Sequence, residues 1–140
     1  MGSTITGGCL CGTVRYEARG EPTYAGYCLC NDCRRASGSG YIGFMGFPAD
    51  ALTITGAVLV HSHKLSDGRV ADRNHCAACG SLVFGGVVGK VSSHTIYAGS
   101  LDDPTRFKPT MAIFGSEKAP WVVVPDGVTV FDRMPAIDVG

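Results

Sequence analysis

The seven cysteines of this chain fall into three clusters, Cys9-x-Cys11, Cys28-x-Cys30-x-x-Cys33 and Cys76-x-x-Cys79. Closely spaced cysteines of this kind are metal ligands in a reducing compartment, and seven is one short of two complete four-sulfur sites. A zinc ion enclosed by four thiolates is structural, whereas one held by three protein ligands keeps a position free for water or substrate. The arithmetic therefore predicts one closed site and one open site. Cys9-x-Cys11 can put both sulfurs on one face of an extended segment. Cys76-Ala77-Ala78-Cys79-Gly80 reads instead as a tight turn around one ion, with Gly80 supplying a positive φ. Together these pairs make the closed site and staple the amino-terminal strand to a later hairpin. Cys28, Cys30 and Cys33 make the open one.

Charge limits what the open site can do. Three thiolates and a divalent zinc sum to minus one, so the metal is a weaker Lewis acid than zinc on three neutral imidazoles. A soft, sulfur-rich site suits an external thiol, deprotonated on binding and held as nucleophile or leaving group. That is carbon–sulfur bond chemistry. Disulfides are the competing reading of the pairs, and the odd count argues against them. A redox enzyme would need an attacking cysteine beyond the metal ligands, and none remains.

The elements that position these sulfurs are mostly strands. Val14, Tyr16 and Ala18 alternate with Arg15, Glu17 and Arg19, while Tyr41–Phe47 and Leu52–Val60 are rich in aromatic and β-branched residues. Asp67-Gly68 separates a run ending at Leu65 from one starting at Arg69, and Pro125-Asp126-Gly127 separates Val122–Val124 from Val128–Phe131; both read as hairpins. One short helix is predicted from Asn31 to Ser37, capped by Asn31 or Asp32 and ended by Gly38. It starts inside the cysteine triplet, so Cys30 and Cys33 lie at its positive end, where thiolate is favoured. Pro135–Gly140 is expected to fray.

Composition sets the outer bounds. The 140 residues suit a single domain, with 45% apolar and 17% charged residues, which is a globular and not a disordered balance. The 20 glycines favour short strands joined by turns. A net charge of zero, with no basic stripe, disfavours nucleic acid as a partner. No window approaches the ~20 apolar residues of a membrane span, and Met1 to Cys9 has neither a basic leader nor an apolar run. A soluble, cytoplasmic protein with no membrane partner is expected.

The arrangement Gly8-Cys9-Leu10-Cys11-Gly12, Cys28-Leu29-Cys30-Asn31-Asp32-Cys33-Arg34-Arg35-Ala36-Ser37-Gly38 and Cys76-Ala77-Ala78-Cys79-Gly80 resembles the glutathione-dependent formaldehyde-activating enzyme family, to which the centromere protein V-like zinc domain is related. Ala98–Pro104 and Ser116–Trp121 look like the same family, so the resemblance covers most of the domain. It implies a small, mainly β zinc-stapled domain of several antiparallel sheets with one short helix, similar to B-type methionine sulfoxide reductases. It also implies structural zinc on Cys9, Cys11, Cys76 and Cys79, and catalytic zinc on Cys28, Cys30 and Cys33. The implied activity is a zinc-dependent carbon–sulfur lyase or synthase acting on small-thiol adducts, with glutathione and formaldehyde giving S-hydroxymethylglutathione. The sequence departs from the family at Leu29, where histidine is common, so a polar neighbour of the triplet has become apolar. The alternative is a non-catalytic zinc module that binds or carries a thiol such as glutathione; turnover, as against binding alone, separates the two.

Other side chains weigh less. Arg34 and Arg35 could hold a glutathione carboxylate or line a solvated helix face. His61 and His63 share a strand face as candidate ligands, His75 precedes Cys76 as a neighbour of the closed site, and His94 is a candidate proton carrier. Trp121 and Phe114 read as core, and Asp102 and Asp103 as turn formers before Pro104.

Overall fold

The computed structural model describes residues 3–65 and 67–135. Most of the stretch expected to fray, from residue 136 onward, lies outside the described residues. Eleven strands and one α-helix are found among the described residues: β1 Thr4–Gly8, β2 Arg15–Arg19, β3 Tyr24–Cys28, α1 Asn31–Ser37, β4 Ile42–Pro48, β5 Leu52–Thr55, β6 Val58–Lys64, β7 Val70–Cys76, β8 Leu82–Gly85, β9 Ser93–Tyr97, β10 Met111–Ile113 and β11 Thr129–Val130. The fold is mainly β, as expected.

The strands form two sheets. One is a three-stranded antiparallel sheet in the order β1-β2-β5. The other has eight strands in the order β11-β10-β3-β4-β9-β8-β7-β6, antiparallel except that β10 runs parallel to both β3 and β11. The period of two in Val14, Tyr16 and Ala18 becomes a buried row that meets Met45, Phe47, Val83, Phe84 and Ile96 from the larger sheet. Strand β4 is buried on both faces. Met45 and Phe47 enter this core, while Phe44 enters a second cluster with Cys30, Ile113 and Phe114. A strand covered on both sides needs a nearly unbroken apolar run, which is what residues 42–47 supply.

The apolar run Leu52–Val60 is not one strand. It breaks at Gly56, whose φ is 97° and whose position leaves no room for a side chain, since a Cβ would lie 2.2 Å from the Thr13 carbonyl oxygen. The break sends β5 to the small sheet and β6 to the large one. The Asp67-Gly68 turn does join β6 to β7, with Lys64 opposite Val70. The second expected hairpin does not form. Val122–Val124 is not a strand; Val122 sits beneath Gly40, and the Lys118 ammonium donates to its carbonyl at 2.9 Å. Only Thr129–Val130 pairs, in parallel with β10. Trp121, expected in the core, is 67% exposed, although its ring edge passes over Gly40. Among the described residues no helix is long and apolar enough to cross a membrane.

Candidate metal centres

The four-cysteine cluster forms where two turns meet. Cys9 and Cys11 leave the end of β1 in a tight turn, closed by the Gly12 N–H on the Cys9 carbonyl at 3.2 Å, not in the extended segment that alternation had predicted. Cys76 ends β7, and Cys79 lies in the turn before β8, where Gly80 takes the expected positive φ of 80°. The sulfurs of Cys9 and Cys11 are 3.6 Å apart and those of Cys11 and Cys76 3.8 Å, with all four within 4.8 Å of one another. A tetrahedron built on 2.3 Å metal–sulfur bonds has edges of about 3.8 Å, so the donors fit a zinc-sized ion. All seven cysteines are free thiols, which removes the disulfide reading.

Backbone donors prepare this cluster for negative charge. Val14 N–H donates to Cys9 Sγ at 3.2 Å and Cys79 N–H to Cys76 Sγ at 3.4 Å. The Ser81 hydroxyl, 3.1 Å from Cys79 Sγ, is the main reason that thiol falls to a pKa of about 5. Burial opposes ionisation of Cys9, yet the Val14 N–H and the neighbouring thiols hold it below the ordinary value. His75 lies beside this turn, its Nδ1 3.3 Å from the Gly80 carbonyl and its ring stacked edge-on against His61.

The triplet is more local. Cys28 ends β3, Cys30 immediately precedes α1 and Cys33 lies in its first turn, and the three sulfurs lie within 4.8 Å of one another. The helix has the predicted bounds but a different cap. Cys30, not Asn31 or Asp32, holds the N-cap position, and its sulfur accepts from Cys33 N–H at 3.3 Å. A sulfur that caps a helix stands among exposed N–H groups, and Cys28 Sγ adds a donor at 3.5 Å. The bond from Cys28 is the chief cause that holds the Cys30 thiol far below its usual range, and the same bond pushes Cys28 up. Asn31 N–H is tied to Glu117 Oε1 at 2.9 Å, which anchors the start of the helix. Phe44, Ile113 and Phe114 wall the sulfurs on the inner side.

One neighbour of the triplet carried no signal in the sequence. Arg73, on β7, is only 8% exposed and its Nη2 donates to Cys33 Sγ at 3.9 Å. The register explains how it arrives there: Arg73 pairs with Gly85 and Gly85 with Thr95, so Arg73, Thr95 and Tyr97 share the sheet face over which α1 lies. Leu29 alternates away from Cys28 and Cys30 into a separate apolar cluster with Ala112, Ala119 and Val122. The residue at this position is therefore not a neighbour of the sulfurs.

The remaining candidates lie elsewhere. Arg34 bonds Asn31 at 3.4 Å and Arg35 is exposed. His61 and His63 stand on the exposed β6, His63 3.7 Å from Asp32. His94 is buried against Phe84 and bonded to the Gly85 carbonyl at 3.0 Å. It pairs with Phe47, five residues along β4 from the Ile42 that faces Cys28, a separation of roughly 17 Å at ~3.3 Å per residue. It is therefore not a proton carrier at the triplet. Asp103 caps a short 3-10 turn, whereas Asp102 binds Arg15 and Thr6 and so ties β1 to β2. Phe114 is buried, as expected.

The profile of the glutathione-dependent formaldehyde-activating enzymes matches residues 4–117, a span that contains every cysteine of both clusters. The chain belongs to that family. A crystal structure of a Rhodobacter sphaeroides protein overlays with a TM-score of 0.50, covering 69% of this chain and 87% of that one at 22% identity, a likeness that speaks for the fold alone. No curated protein matches the sequence.

Proposed function

We propose that the three-cysteine cluster is an open zinc site at which the protein makes or cleaves the carbon–sulfur bond of a small-thiol adduct, with glutathione and formaldehyde giving S-hydroxymethylglutathione. On this reading Cys9, Cys11, Cys76 and Cys79 hold a structural zinc and Cys28, Cys30 and Cys33 the catalytic one. The observation that carries the reading is the contrast between the clusters: four sulfurs converge at one, and three converge at the other with no fourth His, Cys, Asp or Glu ligand among the described residues. Family membership supports glutathione and formaldehyde as the pair to assay.

Zinc at the triplet would supply a soft Lewis acid that takes an external thiol as its thiolate. The protein's own groups do the rest. The Cys28 and Cys33 thiols, helped by backbone N–H groups at the start of α1, favour Cys30 as thiolate, so one ligand is charged before substrate arrives. Phe44 and Phe114 keep water from the inner side. A groove of about 610 Å³ opens along Ser37, Ile42, Tyr97 and Phe107, next to the helix and the end of β9. Its lining has no Lys, Arg, Asp or Glu, so the charged termini of a tripeptide thiol would lie outside it. Every cysteine belongs to one of the two clusters, which leaves no spare nucleophile for a sulfoxide-reductase cycle.

The test incubates zinc-loaded protein with glutathione and formaldehyde and follows adduct formation by NMR exchange. Exchange faster than in buffer supports a synthase. An unchanged rate with glutathione still bound would leave the carrier reading in its place.

A further inference from the structure

Arg73 has an unusual setting. The ion pairs among the described residues are Arg15–Asp102, His63–Asp32 and Arg69–Asp67, so this guanidinium has no carboxylate partner there. Nine-tenths withdrawn from water, it has one weak bond, to the sulfur of Cys33. Asn74 Oδ1 is the one fully buried side-chain polar atom without a partner among the described residues, so the uncommitted guanidinium nitrogens of Arg73 still reach the surface, where they are open to an anion. Two anions are at hand: the net charge of three thiolates around a divalent ion, and whatever negative charge forms on the ligand.

Tyr97 supplies a second donor at the same place. Its hydroxyl lies 2.9 Å from where a side chain on Gly85 would begin, and Gly85 is the residue directly opposite Arg73. The missing side chain at Gly85 is thus filled by the tyrosine hydroxyl. Burial keeps this phenol neutral, and the charges of Arg73, Cys33 and Cys28 all act on it. Tyr97 also lines the groove beside α1. A guanidinium at Cys33 and a phenol at the residue opposite that arginine therefore lie side by side on one sheet face next to the triplet.

We propose that Arg73 and Tyr97 form a two-donor oxyanion site beside the cysteine triplet, which holds the alkoxide of a hemithioacetal. The proposal rests on the thiol-adduct reading above. In the synthetic direction a sulfur lone pair forms the C–S bond and the carbonyl π pair moves onto oxygen. Arg73 and Tyr97 donate hydrogen bonds to that oxygen, which then takes from water the proton that the thiol released to solvent. In reverse the hydroxyl gives up its proton, the C=O bond re-forms and the sulfur leaves with the bonding pair. Donors aimed where charge develops lower the barrier more than they tighten ground-state binding.

The test compares zinc-loaded full-length wild type with Arg73→Met, Arg73→Lys and Tyr97→Phe, each first checked for two metal ions per chain. Calorimetry measures binding of mercaptoacetate, whose carboxylate extends from the thiol carbon, and of 2-mercaptoethanol, its uncharged counterpart. Wild type should prefer mercaptoacetate. Arg73→Met should lose about tenfold or more of that preference, since a hydrogen bond to a charged group is worth that much, with 2-mercaptoethanol binding unchanged; Arg73→Lys should recover part of it. Tyr97→Phe should lower kcat for adduct exchange by about tenfold with KM little changed. Equal affinity of wild type for the two thiols, or a preference that survives in Arg73→Met, overturns the oxyanion site. If the preference is present and depends on Arg73 but no exchange occurs with glutathione and formaldehyde, the proposed reaction fails and the anion site stands. Should Arg73→Met lose its metal, Arg73→Lys and Tyr97→Phe decide the question.

Discussion

Removing one metal site at a time should cost the fold unequally, and the difference follows from how far apart each site's ligands are in the chain. The four-cysteine cluster ties Cys11 to Cys76, 65 positions away, whereas the triplet closes only the five positions from Cys28 to Cys33 (33 − 28). With the loop-closure expression used for covalent cross-links, a loop of 65 stabilises by about 4 kcal/mol and a loop of five by about 2 kcal/mol. For 140 residues the unfolding entropy is roughly 0.29 kcal/mol/K, so these figures correspond to losses in melting temperature of about 15 °C and about 7 °C. The paired variant Cys11→Ser/Cys79→Ser is suited to the first measurement, because both side chains are exposed and their loss leaves the core intact. Cys30→Ser is suited to the second, because serine is itself a good N-cap and keeps the start of α1. Metal content by mass spectrometry should fall from two to one in each, and thermal melts read the stability. If Cys30→Ser lowers the melting temperature as much as the paired variant, the triplet is a structural site and the division of labour is wrong.

Three further substitutions probe particular contacts. Leu29→His restores the family's common residue but buries an imidazole in an apolar cluster, so it should cost about 2–3 kcal/mol in urea denaturation and leave thiol affinity unchanged; tighter thiol binding would place residue 29 at the site after all. Gly85→Ala puts a Cβ 2.9 Å from the Tyr97 hydroxyl, and the shift of about 0.5 Å needed to restore normal contact should lower kcat/KM about tenfold while the metal stays bound; full activity would mean that the hydroxyl's position does not matter. Burial, partly offset by the Ser100 hydroxyl, raises Tyr16 to about 12. Its neutral form therefore contributes stability that is complete below the unfolded value near 10 and is lost as pH rises through about 12. Tyr16→Phe should shrink the alkaline fall in melting temperature and remove one late step from the tyrosinate absorbance titration; an unchanged titration refutes that assignment.

The grouping of the seven cysteines into a four and a three could be read before any coordinates, because ligand spacing within each pair or triplet is a local property. The helix at 31–37 and the β6–β7 hairpin were legible for the same reason: a terminating glycine and an Asp-Gly turn act over a few residues. What failed was non-local. Nothing in Leu52–Val60 announces that its two halves join different sheets, since Gly56 acts through a carbonyl 43 positions earlier (56 − 13). Val122–Phe131 looks like a hairpin locally, yet its only strand pairs with β10. Arg73 was invisible because its approach to Cys33 depends on register across β7, β8 and β9 together with the placement of α1. The N-cap was misassigned because sulfur is a rare cap, and here the residue serves as both cap and ligand.

The triplet lies within six consecutive positions, 28–33, whereas the four-cysteine cluster is completed only by Cys79, 46 positions after Cys33 (79 − 33). At ~5–20 residues per second a ribosome exposes all three cysteines of the triplet roughly 2–9 s before the last cysteine of the four-cysteine cluster emerges. The cluster proposed as the open site is thus the one whose ligands are all available first on the nascent chain. If both clusters take metal as proposed, they become competent to do so at different moments of synthesis.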